Sequence, residues 1–204
     1  MPAQTSERRR RRLGEDERRE QIIGGCVEVL ASEGYRNASL ARIAQAAGVS
    51  KGLISHYFGD RETLMEQTAI AIVAHMRSEV GAAVDLTAEV PEILRAAIRY
   101  ASQVRQTHSR ELRAVDQIAH NLRRADGAPR LDLTAYEDTY QAQEQLLMRG
   151  QQEGSLRDFD ARVMAVTYQG AVDTMIAYLD AHPEADAYAY ADALTDLLLR
   201  AIRK

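Results

Sequence analysis

Length, composition and charge limit what this chain can be. It has 204 residues, of which 46% are hydrophobic and 27% are charged, and this composition is typical of a globular protein. No segment approaches the roughly 20 uncharged apolar residues of a transmembrane helix, and no apolar stretch typical of a signal peptide follows the charged N-terminus. A single cysteine, Cys26, cannot form an internal disulfide. We therefore expect a cytoplasmic protein without a membrane partner.

Positive charge is concentrated at the start of the chain, although the formal net charge is -4. Residues 1–60 hold ten Lys and Arg against eight Asp and Glu, whereas residues 61–204 hold sixteen against twenty-two. Five of the basic residues are consecutive, from Arg8 to Arg12. Such a run is usually a solvated tail, but it can also bind the phosphates of a nucleic acid. We predict that residues 1–13 are a disordered basic arm, and both roles stay open.

The spacing of apolar residues predicts an all-α chain of about nine helices. The first can be capped by Asp16 or its neighbour, runs to about Ser32 and stops at Gly34. Its apolar stripe includes Cys26, which we expect to be a buried, unreactive thiol. Gly24 and Gly25 weaken this helix unless another helix packs closely against them. The other helices are predicted at 40–47, 51–58, 61–80, 90–107, 109–125, 132–153, 160–181 and 185–203.

Two short predicted helices, 40–47 and 51–58, carry the functional signal. Ser39 and Ser50 precede them where an N-cap is needed, and Gly48 can adopt the left-handed conformation that ends a helix sharply. Helices this short and this close form a helix-turn-helix, in which the second helix contacts bases and phosphates from its N-terminal end and outer face. We expect its core-facing residues to be Ile43, Ala47, Ile54 and Phe58.

This stretch resembles the DNA-binding domain of the TetR family of bacterial regulators. The resemblance covers about residues 15–65 and rests on I-A-x-x-A-G-V-S at 43–50, Lys51-Gly52, Tyr57-Phe58 and Arg61. Within it, residues 52–58 are most similar to the BetI-like members of the family. It implies an N-terminal three-helix domain at 14–60 and a helical effector-binding and dimerisation domain at 61–204. The function it implies is a homodimeric repressor that a small molecule releases from a near-palindromic operator in double-stranded DNA.

The resemblance also implies DNA contacts at individual residues. It assigns base or groove contacts to Lys51, Gly52, Leu53 and Ser55, and phosphate contacts to Ser39, Tyr57 and Arg61, with Ser50 as the cap of the recognition helix. The family often has Thr, Tyr and Lys at the positions of Leu53, Ser55 and Arg61, so the operator sequence does not carry over. We expect His56 to pack toward the first helix rather than to read bases.

The last two predicted helices are apolar on more than one face. One apolar stripe would suffice for a single copy, so a second stripe suggests a four-helix contact between two copies that includes Leu194 and Leu198. The alternative is that both stripes are buried within one copy.

Aromatic and ionisable residues between these regions are candidates for an effector pocket. The candidates are Tyr100, Val104, His108, Asp116, Tyr136, Tyr140 and Tyr168. Aromatic residues at helical spacing also fill ordinary cores, so both roles stay open. With Asp116 and Glu137 near the same faces, such a pocket would suit a cationic ligand of unknown identity.

Nothing in the sequence indicates catalysis or a cofactor. The five histidines form no H-x-x-x-H pair, and we find no Gly-rich phosphate loop and no nucleophile elbow. We therefore predict no enzyme activity, no cofactor and no metal site. The competing hypotheses are a DNA-binding regulator without a small-molecule effector and an enzyme built on a helical bundle.

Overall fold

The computed structural model describes residues 14–131 and 136–204, and in this part of the chain it contains nine α-helices and no strand. The helices are α1 (Glu15–Glu33), α2 (Leu40–Ala47), α3 (Lys51–Phe58), α4 (Arg61–Ala83), α5 (Val90–Thr107), α6 (Ser109–Asn121), α7 (Glu137–Glu153), α8 (Ala161–Ala181) and α9 (Ala187–Ile202). The all-α prediction is confirmed, although α6 ends earlier than predicted. The predicted arm at 1–13 lies outside the described residues.

None of the helices in the described ranges is both long enough and apolar enough to cross a membrane.

The first helix begins with a different cap from the one predicted. Gly14 is the N-cap, and its N–H donates to the Glu17 carboxylate at 2.9 Å. Asp16 lies inside the first turn between Glu15 and Glu17, where negative charge stabilises the positive end of the helix. Asp16 itself does not cap the helix, but its neighbour Glu17 completes the cap by accepting the Gly14 N–H.

The turn between α2 and α3 forms as the sequence predicts. The Ser39 Oγ accepts a hydrogen bond from the Arg42 N–H at 3.3 Å, and the Ser50 Oγ accepts one from the Leu53 N–H at 3.1 Å. Gly48 has φ of 64° and ψ of 33°, the left-handed conformation that glycine adopts at little cost. The four residues expected in the core are all buried, namely Ile43, Ala47, Ile54 and Phe58.

Close packing of α1 against α2 depends on Gly25. A Cβ atom at this position would lie 2.7 Å from both the Cβ and the backbone N of Ala47. A Cβ at Gly24 would meet nothing within 4 Å, so close packing explains only one of the two glycines. The Gln21 side chain fixes the same contact, because its Nε2 donates to the Ala47 carbonyl at 2.7 Å.

The first apolar core joins α1, α2 and α3 to α4 and α6. Leu30 of α1, Leu64 of α4 and Ile118 of α6 are among its fully buried side chains. Cys26 is also completely buried here, and burial raises the pKa of its thiol to about 11. The thiol therefore stays protonated near neutral pH, as expected of an unreactive cysteine. Because α6 contributes to this core, the core extends beyond the predicted domain limit at residue 60.

The second apolar core is formed by α5, α7, α8 and α9, and it leaves part of α8 and α9 uncovered. Leu198 is 7% exposed and belongs to this core, so its expected place in a contact between copies was wrong. Leu194 is half-buried against the same core. The neighbouring Leu197 is 67% exposed, and Val163 of α8 is 61% exposed.

The Gly25 contact predicts opposite effects for two adjacent substitutions. Gly25→Ala should lower the free energy of unfolding by about 1–3 kcal/mol, because the backbone of Ala47 has to move. Gly24→Ala should raise it by up to about 1 kcal/mol, because alanine favours the helix and meets no neighbour. Chemical denaturation of the two variants measures both values, and equal stabilities would contradict the close contact.

Candidate nucleic-acid interface

The recognition helix α3 has one buried and one exposed face. Ile54 and Phe58 hold its inner face in the first core. The predicted contact residues Lys51, Gly52 and Ser55 are exposed, Leu53 is half-buried, and the cap residues Ser39 and Ser50 are also exposed. The helix therefore presents polar and small side chains to solvent from a rigid position.

His56 lies on the outer side of α3, which contradicts the expectation that it packs toward α1. Its side chain is exposed, and its ring meets the Tyr57 ring edge-on with the centroids 5.4 Å apart. The signal was available in the sequence, since residues four apart share a helix face and His56 follows the exposed Gly52 by one turn. His56 thus joins the candidate base-reading residues.

Tyr57 is half-buried against the first core, and its backbone is tied to α1. The Arg19 Nη1 donates to the Tyr57 carbonyl at 3.0 Å, and the Arg19 guanidinium lies 4.7 Å from the centroid of the Phe58 ring. Arg19 also donates to Gln67 of α4. One arginine therefore joins the end of the recognition helix to α1 and α4.

Arg61 makes contacts within the chain that the sequence did not predict. Its Nε donates to the Ala38 carbonyl at 2.8 Å, its Nη2 donates to the Tyr35 carbonyl, and its guanidinium lies 4.3 Å from the centroid of the Tyr35 ring. These contacts join the start of α4 to the loop before α2. A phosphate contact by Arg61 stays a prediction, beside this structural role.

The predicted effector residues fall into two groups. Near α8, the rings of Tyr136 and Tyr140 stack with centroids 5.9 Å apart, and Tyr168 is buried in the second core. Near α4, Tyr100 and His108 both contact Glu79, and the buried Val104 accepts a backbone hydrogen bond from His108 at 2.7 Å.

The two acidic residues proposed for the pocket both have partners within the chain. Asp116 is exposed and pairs with His120 at 3.0 Å, because the inner face of α6 is occupied by Ala114 and Ile118. Glu137 pairs with Arg162 at 2.6 Å. The Arg162 guanidinium also lies 5.2 Å from the centroid of the Tyr140 ring, so Glu137 and this ring already share a cation from within the chain.

An acidic residue that the sequence analysis missed lies close to the tyrosines of α7. Burial raises the pKa of the Asp173 carboxyl, and the hydrogen bond from the Gln169 Nε2 at 2.8 Å offsets this only in part. Burial and the nearby Asp173 charge raise the pKa of Tyr136 to about 12, and the same two causes raise the pKa of Tyr140. Asp173 could have been found from the sequence, because it is an acidic residue inside the largely apolar stretch 170–179.

Three side chains that could bind a metal ion meet beside Tyr100, away from the tyrosines near α8. His75 and Glu79 lie one turn apart on α4, and their ligand atoms lie within 4.8 Å of each other and of the His108 ring. The prediction of no metal site considered only pairs of histidines along the sequence, and it stays a prediction.

Residues 22–68, which include α2 and α3, match the family described as bacterial regulatory proteins, tetR family. This part of the chain is therefore a TetR-type DNA-binding domain. A curated relative, the HTH-type transcriptional regulator BetI of Escherichia coli (strain K12 / DH10B), is 43% identical over 63 residues. That match covers 31% of this chain and 32% of BetI, so the chain matches about a third of the length of these relatives.

Solved structures share the fold over most of the chain. A putative tetR family transcription regulator from Shewanella sp. PV-4 matches with a TM-score of 0.73 and 19% identity, over 92% of this chain and 98% of that one. A structure described as the molecular basis for control of antibiotic production by bacterial hormones matches with a TM-score of 0.71 and 25% identity, again over 92% and 98%. BetI and the Shewanella protein are both described as transcription regulators.

The different surroundings of Lys51 and Arg61 predict different effects on DNA binding and stability. Lys51→Ala should leave the unfolding temperature unchanged, because the side chain is exposed. It should reduce the slope of log affinity against log salt by about 0.9 for each phosphate that the chain no longer neutralises. Arg61→Ala should lower the free energy of unfolding by about 1–3 kcal/mol, because two backbone carbonyls lose their donor. Thermal unfolding and salt titrations on duplex DNA measure both, and an equally stable Arg61→Ala would contradict the structural role.

Proposed function

We propose that this chain is a cytoplasmic, sequence-specific repressor of the TetR family that binds DNA as a homodimer and is released by a small molecule. The observation that carries the proposal is that α3 is anchored by its inner face in the first core and leaves its outer face exposed to solvent. Ser50 caps the helix, Ile54 and Phe58 fix its inner face, and the exposed residues match the assigned contact positions. An exposed helix of this kind fits the major groove of B-form DNA.

The side chains of α3 suit distinct roles at the groove. Lys51, at the start of the helix, would neutralise a phosphate. Leu53 would touch a thymine methyl, and Ser55 and His56 would hydrogen-bond to base edges. Phosphate contacts give affinity without sequence choice, so we assign the choice of operator to Leu53, Ser55 and His56.

The exposed apolar face of α8 and α9 supports a homodimer. Val163, Val166 and Tyr178 of α8 and Leu197 of α9 are large hydrophobic residues that this copy leaves exposed. Two such faces would form a four-helix contact about a twofold axis. The twofold axis would set two recognition helices about 34–36 Å apart, which is the spacing of successive major grooves.

The surroundings of Asp173 support an effector and favour a cationic one. Among the side chains that the structure describes, no Lys, Arg or His forms an ion pair with this half-buried carboxylate, and Tyr136 and Tyr140 lie nearby. A ligand cation would supply the opposite charge that the buried carboxylate lacks, and it would pack against the Tyr136 ring, because Arg162 already lies over the Tyr140 ring. This observation favours the ligand-released repressor over a regulator without an effector.

Selection of binding sites from random duplex DNA tests the proposal directly. The wild-type chain should enrich a near-palindromic sequence whose half-sites are one helical turn apart, because a homodimer presents two identical recognition helices. The absence of any enriched sequence would contradict sequence-specific binding, and enrichment of single half-sites would contradict the dimer.

Substitution of two adjacent leucines distinguishes loss of the dimer contact from loss of the fold. Leu197→Arg should give a folded monomer that no longer binds the full operator, because the charge lies on the exposed face. Leu198→Arg should instead unfold the chain, because it places an unpaired charge in the second core. Sedimentation and thermal unfolding distinguish the two outcomes. A Leu197→Arg variant that remains a dimer with full operator affinity would locate the interface elsewhere.

Asp173→Asn tests the effector site through stability and ligand binding. The stability of the wild-type chain should fall as the pH rises above the ordinary Asp value of 3.8, because the folded state retains the proton more strongly. The variant should lack this component and be at least as stable at neutral pH. Calorimetry with tetramethylammonium should show weaker binding to the variant, whereas uncharged tert-butanol should bind both proteins equally. Equal binding of tetramethylammonium to both proteins would remove Asp173 from the site.

A further inference from the structure

We infer that His75, Glu79 and His108 bind a divalent transition-metal ion that fastens α4 to the junction of α5 and α6. His75 and Glu79 are contributed by one face of α4, and His108 stands between the last residue of α5 and the first residue of α6. Two imidazoles and one carboxylate are a ligand set used by zinc and by non-haem iron, and a tyrosine hydroxyl completes the surroundings.

The distances suit a single ion. The Glu79 carboxylate lies between the two rings, with Oε1 at 3.6 Å from the His75 Nε2 and Oε2 at 2.9 Å from the His108 Nε2. Ligands at about 2.0–2.1 Å from a tetrahedral ion are about 3.4 Å apart, so both separations are close to the required value. His75 is 63% exposed and can turn toward the ion, whereas His108 is 12% exposed and forms the fixed side of the site.

The hydrogen bonds around His108 orient its ring for metal binding. The Thr107 hydroxyl donates to the Val104 carbonyl at 3.3 Å, and the same oxygen lies 2.6 Å from the His108 Nδ1. Because Thr107 holds the Nδ1 side of the ring, the Nε2 is the atom that faces the Glu79 carboxylate, and an ion bound between them would displace the hydrogen of that contact. Outer contacts of this kind usually fix the orientation of a metal-binding histidine.

Tyr100 holds the carboxylate in the same way. Its hydroxyl donates to the Glu79 Oε2 at 3.2 Å, so the carboxylate is positioned from α5 as well as from its own helix. Three protein ligands leave at least one coordination position for water or for a donor atom of another molecule.

Metal binding would act on DNA affinity through α4, and this step rests on the proposed function. The ion would join His75 and Glu79 of α4 to His108, which precedes α6, and α6 packs in the first core. Helix α4 itself begins shortly after the recognition helix α3. An ion that holds α4 in one position would therefore alter the separation of the recognition helices in a dimer.

Titration of the full-length, untagged chain with Co²⁺ tests the site without DNA. We expect one ion per chain, with the visible absorption of a nitrogen- and oxygen-coordinated Co²⁺, and we expect Zn²⁺ to displace it. His75→Ala and His108→Ala should each abolish or greatly weaken binding, and Thr107→Val should weaken it about 10–100-fold through the His108 orientation. His120→Ala is the matched control, because this exposed histidine pairs with Asp116 outside the cluster.

The outcomes separate the site from its regulatory effect. No Co²⁺ absorption in a folded wild-type chain, or unchanged binding by both histidine variants, would overturn the metal site. Thermal unfolding of each variant in the absence of metal shows whether weaker binding reflects an unfolded chain, and Thr107→Val keeps the test valid if a histidine variant unfolds. With the selected DNA, added Zn²⁺ should change the affinity of the wild type and leave that of His108→Ala unchanged. An equal response of both would overturn the coupling, and absence of DNA binding by any form would instead contradict the proposed function.

Discussion

Helix α4 packs in two different surroundings and joins the first three helices to α5 and α6. Its first half, with Leu64 and Met65, is buried under α1 and α6 in the first core. Its second half extends beyond this core after Met76 and contacts α5 through Glu79 and Tyr100. Because a helix bends little over a few turns, a displacement at Glu79 reaches the first turn of α4, where Asp60 caps the helix and Arg61 holds the loop before α2.

Local signals in the sequence predicted the fold and the recognition helix well. Serine before a short apolar pattern and glycine after it define α2 and α3, because caps and left-handed turns depend on neighbouring residues alone. The same reasoning separated the faces of α3 correctly for Ile54 and Ser55. It failed for His56, although the position of Gly52 one turn earlier was sufficient to place it on the outer face.

Contacts between distant segments account for most of what the sequence could not predict. Leu197 and Leu198 are equally apolar neighbours, and only the packing of α9 on α5 and α8 decides which of them is buried. Arg61 has the charge of a phosphate ligand, yet the Tyr35 ring and two carbonyls from another loop occupy it. The sequence analysis named Asp116 and Glu137 as the acidic residues near the tyrosines. Sequence alone does not show that α8, which carries Asp173, packs against α7.

The energy needed for release from DNA decides what an effector must do to α4. Shifting a two-state population from 1:99 to 99:1 requires a difference in ligand affinity of about 5.5 kcal/mol between the two states. A single hydrogen bond to a charged group contributes about 1.5–3 kcal/mol, so a cation at Asp173 alone would be insufficient. It would need further contacts, such as those with tyrosine rings, that exist in only one position of the helices. A ligand near α8 must also act on α4 through α5, whereas one that contacts Glu79 acts on α4 directly. When the ligand contacts α4 directly, none of its difference in affinity between the two states is spent on moving intervening helices. The α4 surface beside Tyr100 and His108 is therefore the more efficient place to couple a ligand to the recognition helix.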